Sequence, residues 1–378
     1  SETFPTRKEY DQRAIDVKNG TLDAVFRTLQ NARRSAEFAA ETIKRLSSNP
    51  NDSRVTELYA LAGLSYVMMG ENYCSGVPIS NFDANGTLQF GQPQTTTQLF
   101  ERAVQLFDLG LEVQGSAASR NLAMIGKARA LQSLGRYDEA AAAVAGIPTE
   151  YAYNTTHTLA ITRQQNAIFA LLNQAERFSV ADFDGGNGLD FRSAQDPRVP
   201  WFRAGGNDVG FDNATPQYDQ GKYKDEVAPI PVATGIEARL IEAEAMLRNG
   251  NAGWLDILNE LRANEDLYPS EFPAGFPDPL FPIPLGPLTD PGTQDARVAM
   301  LFRERAFWLY LTAHRLGDLR RQIRHYGADA SIFPGAGGQP YVINGNNKGG
   351  VFGTDVNLPV PFNETNNPEF GDCIDRNP

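Results

Sequence analysis

Cysteine is nearly absent from the chain: Cys74 and Cys373 are the only two in 378 residues. There is no CxxC pair and no adjacent cysteine–histidine set, which excludes the usual zinc frameworks. Histidine is as scarce, with only His157, His314 and His325. His314 and His325 share a face only if one helix runs through both, and two histidines without a third ligand make an incomplete metal site. Basic residues are outnumbered, 34 Lys+Arg against 46 Asp+Glu, for a formal net charge of −12. Wrapping nucleic acid or lying on an anionic membrane needs a basic face, so neither partner is expected. Long apolar runs are missing too. The longest nearly apolar stretch, 58–69, has 12 residues and contains Ser65, whereas a spanning helix needs about 20. The start, Ser1-Glu2-Thr3-Phe4-Pro5, has no basic segment followed by an apolar one. No targeting peptide is visible, so the chain is read as cytosolic or as already processed. Neither G-x-S-x-G nor G-x-x-x-x-G-K-[ST] occurs, which removes the nucleophile elbow and the P-loop. A glycosidase carboxylate pair needs a separation that sequence cannot measure, and a solvated acidic surface is the default. No cofactor is expected.

What is present is mostly helical in the first half. Leu22, Val25, Phe26, Leu29, Ala36, Ala40, Ile43 and Leu46 recur at three- and four-residue steps and predict a helix over 21–47. Further helices are expected over 53–69, from 97 (Leu99, Ala103, Leu106, Phe107 and Leu111 inward), over 119–134 and over 137–145. Gly70, Gly135 and Gly250 each follow a periodic segment, where glycine takes a left-handed C-cap without penalty. Ala128, Gly135, Tyr137 and Ala140 fall at the small-residue, turn and contact spacings of a tetratricopeptide repeat. A few degenerate repeats fit better than a long solenoid. Residues 182–231 are rich in Gly, Asp, Asn and aromatics and read as loops with short strands. Helices return over 236–248, 253–263, 294–311 and 313–326. Between them, 264–292 carries eight prolines, too many for a helix or a central strand. The tail is Gly/Asn-rich, with a strand-like 356–361.

Three constellations have competing readings. Asp182, Asp184 and Asp190 surround a glycine-rich turn like a calcium loop. The register is wrong for an EF-hand, because Gly186 and Ser193 stand at ligand positions, so a polar turn is preferred and calcium on another geometry is the alternative. Glu304-Arg305 with Arg315, Asp318, Arg320 and Arg321 reads as a structural ion-pair network rather than catalysis. Six Asn-x-Ser/Thr sequons begin at Asn19, Asn51, Asn85, Asn154, Asn213 and Asn363; in so Asn- and Thr-rich a chain they are read as chance.

Several segments match a known pattern in order. Ile236-Glu237-Ala238-Arg239-Leu240-Ile241-Glu242-Ala243-Glu244-Ala245 resembles the "R-x-A-E-x-x-L-x-x-A-E-A" helix of SusD/RagB-like proteins, and Leu258-Asn259-Glu260-Leu261-Arg262 the helix that follows it. Arg303-Glu304-Arg305, with His314-Arg315-Leu316-Gly317-Asp318-Leu319-Arg320-Arg321, is similar to the family's "E-R…E-G-x-R-x-x-D-L-x-R" block. Thr312 and Ala313 stand where that block has Glu-Gly. Leu358-Pro359-Val360-Pro361 with Asn367-Pro368 resembles its closing signature, Tyr73-Cys74-Ser75-Gly76-Val77-Pro78 its "F-G-D-V-P-L", and Asp196-Pro197-Arg198 its "D-P-R". The chain is short for the family.

The resemblance implies a mainly α, SusD-like fold with tetratricopeptide-type helical repeats and an irregular loop-rich second half. Residues 1–180 would form the repeat region and 181–378 the loop-rich region, packed together as one compact unit. It also implies a non-catalytic, surface-exposed lipoprotein of the outer membrane, with its lipid anchor upstream of Ser1. Such a protein captures oligosaccharides or peptides for a SusC-like TonB-dependent transporter. Two other readings stay open: a helical-repeat interaction or assembly module, and an α-helical carbohydrate-active enzyme. Sugars stack apolar faces on aromatic rings and pair their hydroxyls with Asn, Asp or Arg. Trp201, Phe202, Arg203, Asn207, Phe211, Tyr218 and Tyr223 concentrate both kinds and are the candidate ligand site; the alternative is that Trp201 and Phe202 pin the loop to the core. In an exported chain whose closing segment runs back over the helical body, Cys74 and Cys373 are expected to form a disulfide.

Overall fold

The computed structural model describes residues 4–49, 51–83, 85–203, 208–277 and 281–378. A short helix α1 (Pro5–Gln12) precedes α2 (Gly20–Leu46), α3 (Arg54–Asn72), α4 (Thr96–Leu111), α5 (Ala117–Ser133) and α6 (Tyr137–Val144). Side-chain caps fix the starts. Asn19 accepts from the amides of Thr21 and Leu22 at α2, Thr95 and Gln98 form a capping box at α4, and Ser116 caps α5. Asn19, the first sequon, is buried in that role. Two of the apolar residues assigned to the inner face of α2, Val25 and Leu46, are exposed.

Helix α3 is buried on nearly every side, as a helix apolar all round must be. It lies against α2, α4 and α5. Small residues permit the approach. A Cβ on Gly63 or Gly126 would stand 2.8 or 2.4 Å from the Phe107 ring, and one on Gly70 2.7 Å from Phe100. This corrects the reading of Gly70 as a C-cap: α3 runs through it to Asn72, and its missing side chain makes room for Phe100. Gly135 (φ 78°) and Gly250 (φ 69°) do adopt the left-handed conformation.

A short turn α7 (Ala167–Phe169) continues as a π-helical turn, Ala170–Gln174. Then come α8 (Gly235–Arg248), α9 (Gly253–Ala263), α10 (Gln294–Trp308) and α11 (Arg315–Tyr326). Helix α10 stops three residues before the predicted end, and the chain turns through Leu311 (φ 56°) and Ala313 (φ 61°). That break separates the histidines. His314 is buried just ahead of α11, whereas His325 lies in its last turn beside the Ser133 carbonyl. The proline-rich stretch is an ordered excursion over α9 where it is described. Asn259 exchanges two hydrogen bonds with the Leu288 backbone, and Arg262 Nε donates to the Gly286 carbonyl (2.7 Å).

Strands are short and pair antiparallel in twos among the described residues: β1 (Val77–Pro78) with β4 (Pro93–Gln94), β2 (Asn81–Phe82) with β3 (Leu88–Gln89), β5 (Ala152–Thr155) with β8 (Ile230–Thr234), β6 (Trp201–Phe202) with β7 (Asp219–Gln220), and β9 (Pro340–Ile343) with β10 (Asn346–Val351). The expected strand at 356–361 is reduced to a bridge between Leu358 and Tyr73, because Pro359 and Pro361 bring no amide donors. Leu358 N donates to the Asn72 carbonyl (2.7 Å), and Cys74 N to that of Leu358 (2.8 Å).

The expected disulfide is present. Cys74 and Cys373 are bonded across a sequence separation of 299. Ile374 N donates to the Ser75 carbonyl (2.8 Å), which continues the contact. In the chain-entropy picture such a bridge removes freedom from the unfolded chain, worth at most about 5 kcal/mol. Replacing both cysteines by serine should lower unfolding free energy by about 2–5 kcal/mol in urea titrations. An unchanged midpoint would show that the bridge adds no stability.

Candidate functional site

Most charged residues of the sequence motifs are one another's partners. Arg305 donates to both oxygens of Asp318 (2.9 and 3.0 Å), and Arg321 to both of Glu244 (3.0 and 2.9 Å). Arg321 also reaches Asp318 (3.0 Å). Arg129 grips Glu71 (2.8 and 2.6 Å), and Arg198 bridges Asp196 and Glu304, which Arg262 shares (2.8 Å). All are buried except Arg262, which is partly so. Paired forks of this kind are framework rather than chemistry.

Of the six nominated residues that the structure describes, Trp201, Arg203 and Tyr218 adjoin, with the Arg203 guanidinium 5.4 Å from the Tyr218 ring, whereas Phe202 and Tyr223 are buried. Trp201 is half-buried, edge-on to Tyr218 (5.5 Å), and its Nε1–H donates to the Arg192 carbonyl (3.1 Å). Arg192 covers the Tyr218 ring at 3.6 Å. Phe202 is buried against Phe276 (5.2 Å), and Arg203 pairs with Asp208 (3.1 Å). Phe211, 49% exposed, stands apart under Arg177 (3.2 Å). Tyr223 is buried and donates to the Leu311 carbonyl (3.1 Å). Asn207 lies outside the described residues. The glycine-rich turn sends its carboxylates three ways. Asp182 caps the amides of Arg192 and Ser193, Asp190 pairs with Arg303, and Asp184 turns inward, where burial and then Asp11 raise it to about 7.

At least four concavities have the size of ligand sites; one of about 930 Å³ against α1 and α2 and one of about 570 Å³ beside Gly185 and Gly186 have no carboxylate in their lining, whereas two others join aromatic rings to carboxylates. The first is an open shelf of about 620 Å³ between α2, the β2–β3 hairpin and α4. Phe38 (57% exposed) and Phe82 (48%) flank it, and the Arg34 guanidinium lies over both rings, at 5.7 and 4.7 Å. Asn81, Gln98, Glu101 and Gln105 supply its polar rim. Arg33 fixes the hairpin to α2 by donating to Asn81 Oδ1 (3.0 Å) and the Ser80 carbonyl (2.6 Å). Glu37, beneath, is held by Arg33 (2.9 Å) and Arg102 (3.1 Å). None of these was nominated from sequence. The signal was there, since Phe38 lies on the polar face of α2, opposite Leu22 and Ala40, where a core aromatic has no place.

The second is a cavity of about 380 Å³ between the β5–β8 ribbon, the loop at 267–271 and the α10–α11 junction. Tyr268, Trp308, Pro231 and Leu309 give it apolar walls, and Lys222, Glu237 and His314 also line it. Lys222 Nζ donates to the Tyr310 carbonyl (2.6 Å), and burial pulls its ammonium down to about 8.

No protein-family model matches the sequence, and no curated protein does. Solved structures do. A SusD-like protein from Bacteroides fragilis superposes over 97% of this chain and 88% of its own, with a TM-score of 0.66 and 12% identity. The fold is SusD-like. A SusD superfamily protein from Parabacteroides distasonis (TM-score 0.65, 12% identity, 97% and 88% covered) agrees. So does a surface glycan-binding protein A from Bacteroides uniformis (0.58, 13%, 95% and 86%). The SusD-like architecture, mainly α with tetratricopeptide-type helix pairs and a loop-rich second half, is the one the sequence motifs implied. Among the described residues, no helix of this chain is long and apolar enough to cross a membrane.

The motif charges should therefore act on stability. Burial alone would raise Asp318, but Arg305 and Arg321 outweigh it and hold the carboxyl well below the usual range. A depressed carboxyl stabilises the fold above its unfolded pKa, about 4, and loses that contribution as pH falls. Asp318→Asn should cost about 3–5 kcal/mol at pH 7, the penalty for stranding a buried partner, with a smaller difference from the parent below about pH 4. Urea titrations at both pH values check this; equal midpoints at pH 7 would show the pair to be dispensable.

Proposed function

We propose that this chain is a non-catalytic surface binding protein that captures an oligosaccharide on the Phe38–Phe82 shelf. The observation that carries the reading is the pair of exposed aromatic rings with an amide- and carboxylate-bearing rim. Pyranose rings offer C–H faces to aromatics, and their hydroxyls need such a rim. Arg34 over both rings keeps them apart from the core and orders a platform that no apolar neighbour requires. Glu37, the innermost carboxylate, is committed to Arg33 and Arg102, which favours binding over hydrolysis. Two structural neighbours, a surface glycan-binding protein from Bacteroides uniformis and a SusD-like carbohydrate-binding protein from Bacteroides fragilis, point the same way. In this reading the chain sits on the outer membrane through a lipid upstream of Ser1. It passes its ligand, an oligosaccharide in preference to a peptide, to a SusC-like TonB-dependent transporter.

The test is a glycan panel followed by calorimetry with the best ligand. Phe38→Ala and Phe82→Ala should each weaken binding about two- to tenfold, the value of one stacking contact of about 0.5–1.5 kcal/mol. Thermal midpoints should stay within a few degrees, since both residues are exposed. A double variant that binds like the parent would remove the shelf from the account. Released product would replace capture by catalysis.

A further inference from the structure

Asn-Gly occurs five times in the chain, at Asn19, Asn85, Asn187, Asn249 and Asn344. In this dipeptide the asparagine carboxamide is open to attack by the next amide nitrogen, because glycine puts no side chain in the way. In four of the five the carboxamide is held. Asn19 Oδ1 caps α2, and its Nδ2 donates to the Thr6 carbonyl (2.7 Å). Asn187 Nδ2 donates to the carbonyls of Ser331 and Phe333 (2.7 and 2.9 Å), and its Oδ1 accepts from Gly335 N (2.8 Å). Asn344 Nδ2 reaches Ser179 Oγ and the Pro216 carbonyl (2.9 and 3.1 Å). Asn249 Nδ2 donates to the Asp138 carboxylate (2.6 Å). Asn85 differs. It is exposed at the tip of the β2–β3 hairpin, and its carboxamide makes no hydrogen bond among the described residues.

Gly86 completes the arrangement. Its φ is 80°, and the space where a Cβ would stand is open. One turn bond, from Gly86 N to the Asp83 carbonyl (3.0 Å), restrains its amide, and a bond at an exposed tip opens readily. The tip matters for what it closes. Asp83 N donates to the Thr87 carbonyl (3.0 Å), and Asp83 Oδ1 accepts from the amides of Asn85 and Thr87 (2.9 Å each). This turn sets the pairing of Phe82 with Leu88 and of Asn81 with Gln89. Asn81 and Phe82 line the shelf.

We propose that Asn85–Gly86 is a self-modification site whose conversion loosens the glycan shelf. The Gly86 nitrogen bonds to Asn85 Cγ, the Cγ–Nδ2 bond breaks, and Nδ2 leaves as ammonia with the proton that Gly86 gave up. Water then opens the resulting succinimide at one carbonyl or the other, to isoaspartate or aspartate; nothing is oxidised or reduced. Either product sets a new carboxylate in the turn that Asp83 organises, and isoaspartate adds a methylene to its backbone. The loss of glycan hold rests on the Phe38–Phe82 reading, whereas the conversion does not. The test ages the intact chain at mildly alkaline pH and follows all five dipeptides by peptide mapping, with isoaspartate located by electron-transfer fragmentation. Asn85 should convert about tenfold faster than the other four, whose carboxamide hydrogen bonds must open first. Converted and unconverted chains, separated by ion exchange on the added charge, are then titrated with the best glycan. The converted chain should bind about two- to tenfold more weakly, the range of one stacking contact. Asn85→Gln, whose longer side chain cyclises far more slowly, should keep the parent's affinity through the same ageing. Conversion at Asn85 no faster than at the held asparagines would overturn the site. Rapid conversion with unchanged affinity would overturn its coupling to the shelf. A parent chain that binds no glycan would remove shelf and coupling together and leave the conversion standing.

Discussion

Four arginines without access to water, Arg129, Arg198, Arg305 and Arg321, govern how this chain is assembled. Each must meet a carboxylate, and the carboxylates come from elsewhere in the sequence: Glu71 on α3, Glu244 on α8, Glu304 on α10, Asp318 on α11. An ion pair of this kind adds little net stability compared with an apolar replacement, because both charges lose their water. It does penalise any arrangement in which one partner is displaced. The seam therefore fixes α10 and α11 against α8, and α3 and α5 against the α10–α11 junction. Arg320 extends it by donating to the carbonyls of Gly70 and Glu71 at the end of α3 (2.9 and 2.6 Å).

Both carboxylate-lined concavities depend on that frame in different ways. The shelf stands at its edge, where α2 and α4 flank α3 and Arg33 ties down the hairpin. Its aromatic rings are surplus to the core, which is why they are free to meet a ligand. The cavity at the α10–α11 junction lies on the seam itself. His314 and Glu237 belong at once to its wall and to the surroundings of Arg129.

The helical half was legible because its signals are local. The apolar steps of α2 and α4 repeat every three or four residues, whereas the capping side chains of Asn19, Thr95 and Ser116 emerged only from the structure. Gly70 was misread because its purpose, contact with Phe100, lies thirty positions further along the chain. Helix α1 went unpredicted because it is almost wholly polar, and the β9–β10 ribbon because its glycines and asparagines read as loop. The partners of the motif charges could be foreseen as a network but not assigned pairwise. The candidate site was harder. An aromatic-rich segment such as 201–223 is conspicuous in sequence, yet Phe202 and Tyr223 serve the interior. The cavity of about 380 Å³ joins residues from β5 to the α10–α11 junction, so no window of sequence contains it.

The central claim is capture without chemistry, and it is tested most directly by titrating the purified chain with the oligosaccharide that binds it best and recovering that ligand by chromatography afterwards. The account predicts a saturable isotherm that depends on Phe38 and Phe82, with the oligosaccharide recovered at its original length. A shortened or rearranged glycan, or the absence of saturable binding to any member of a broad panel, would contradict it.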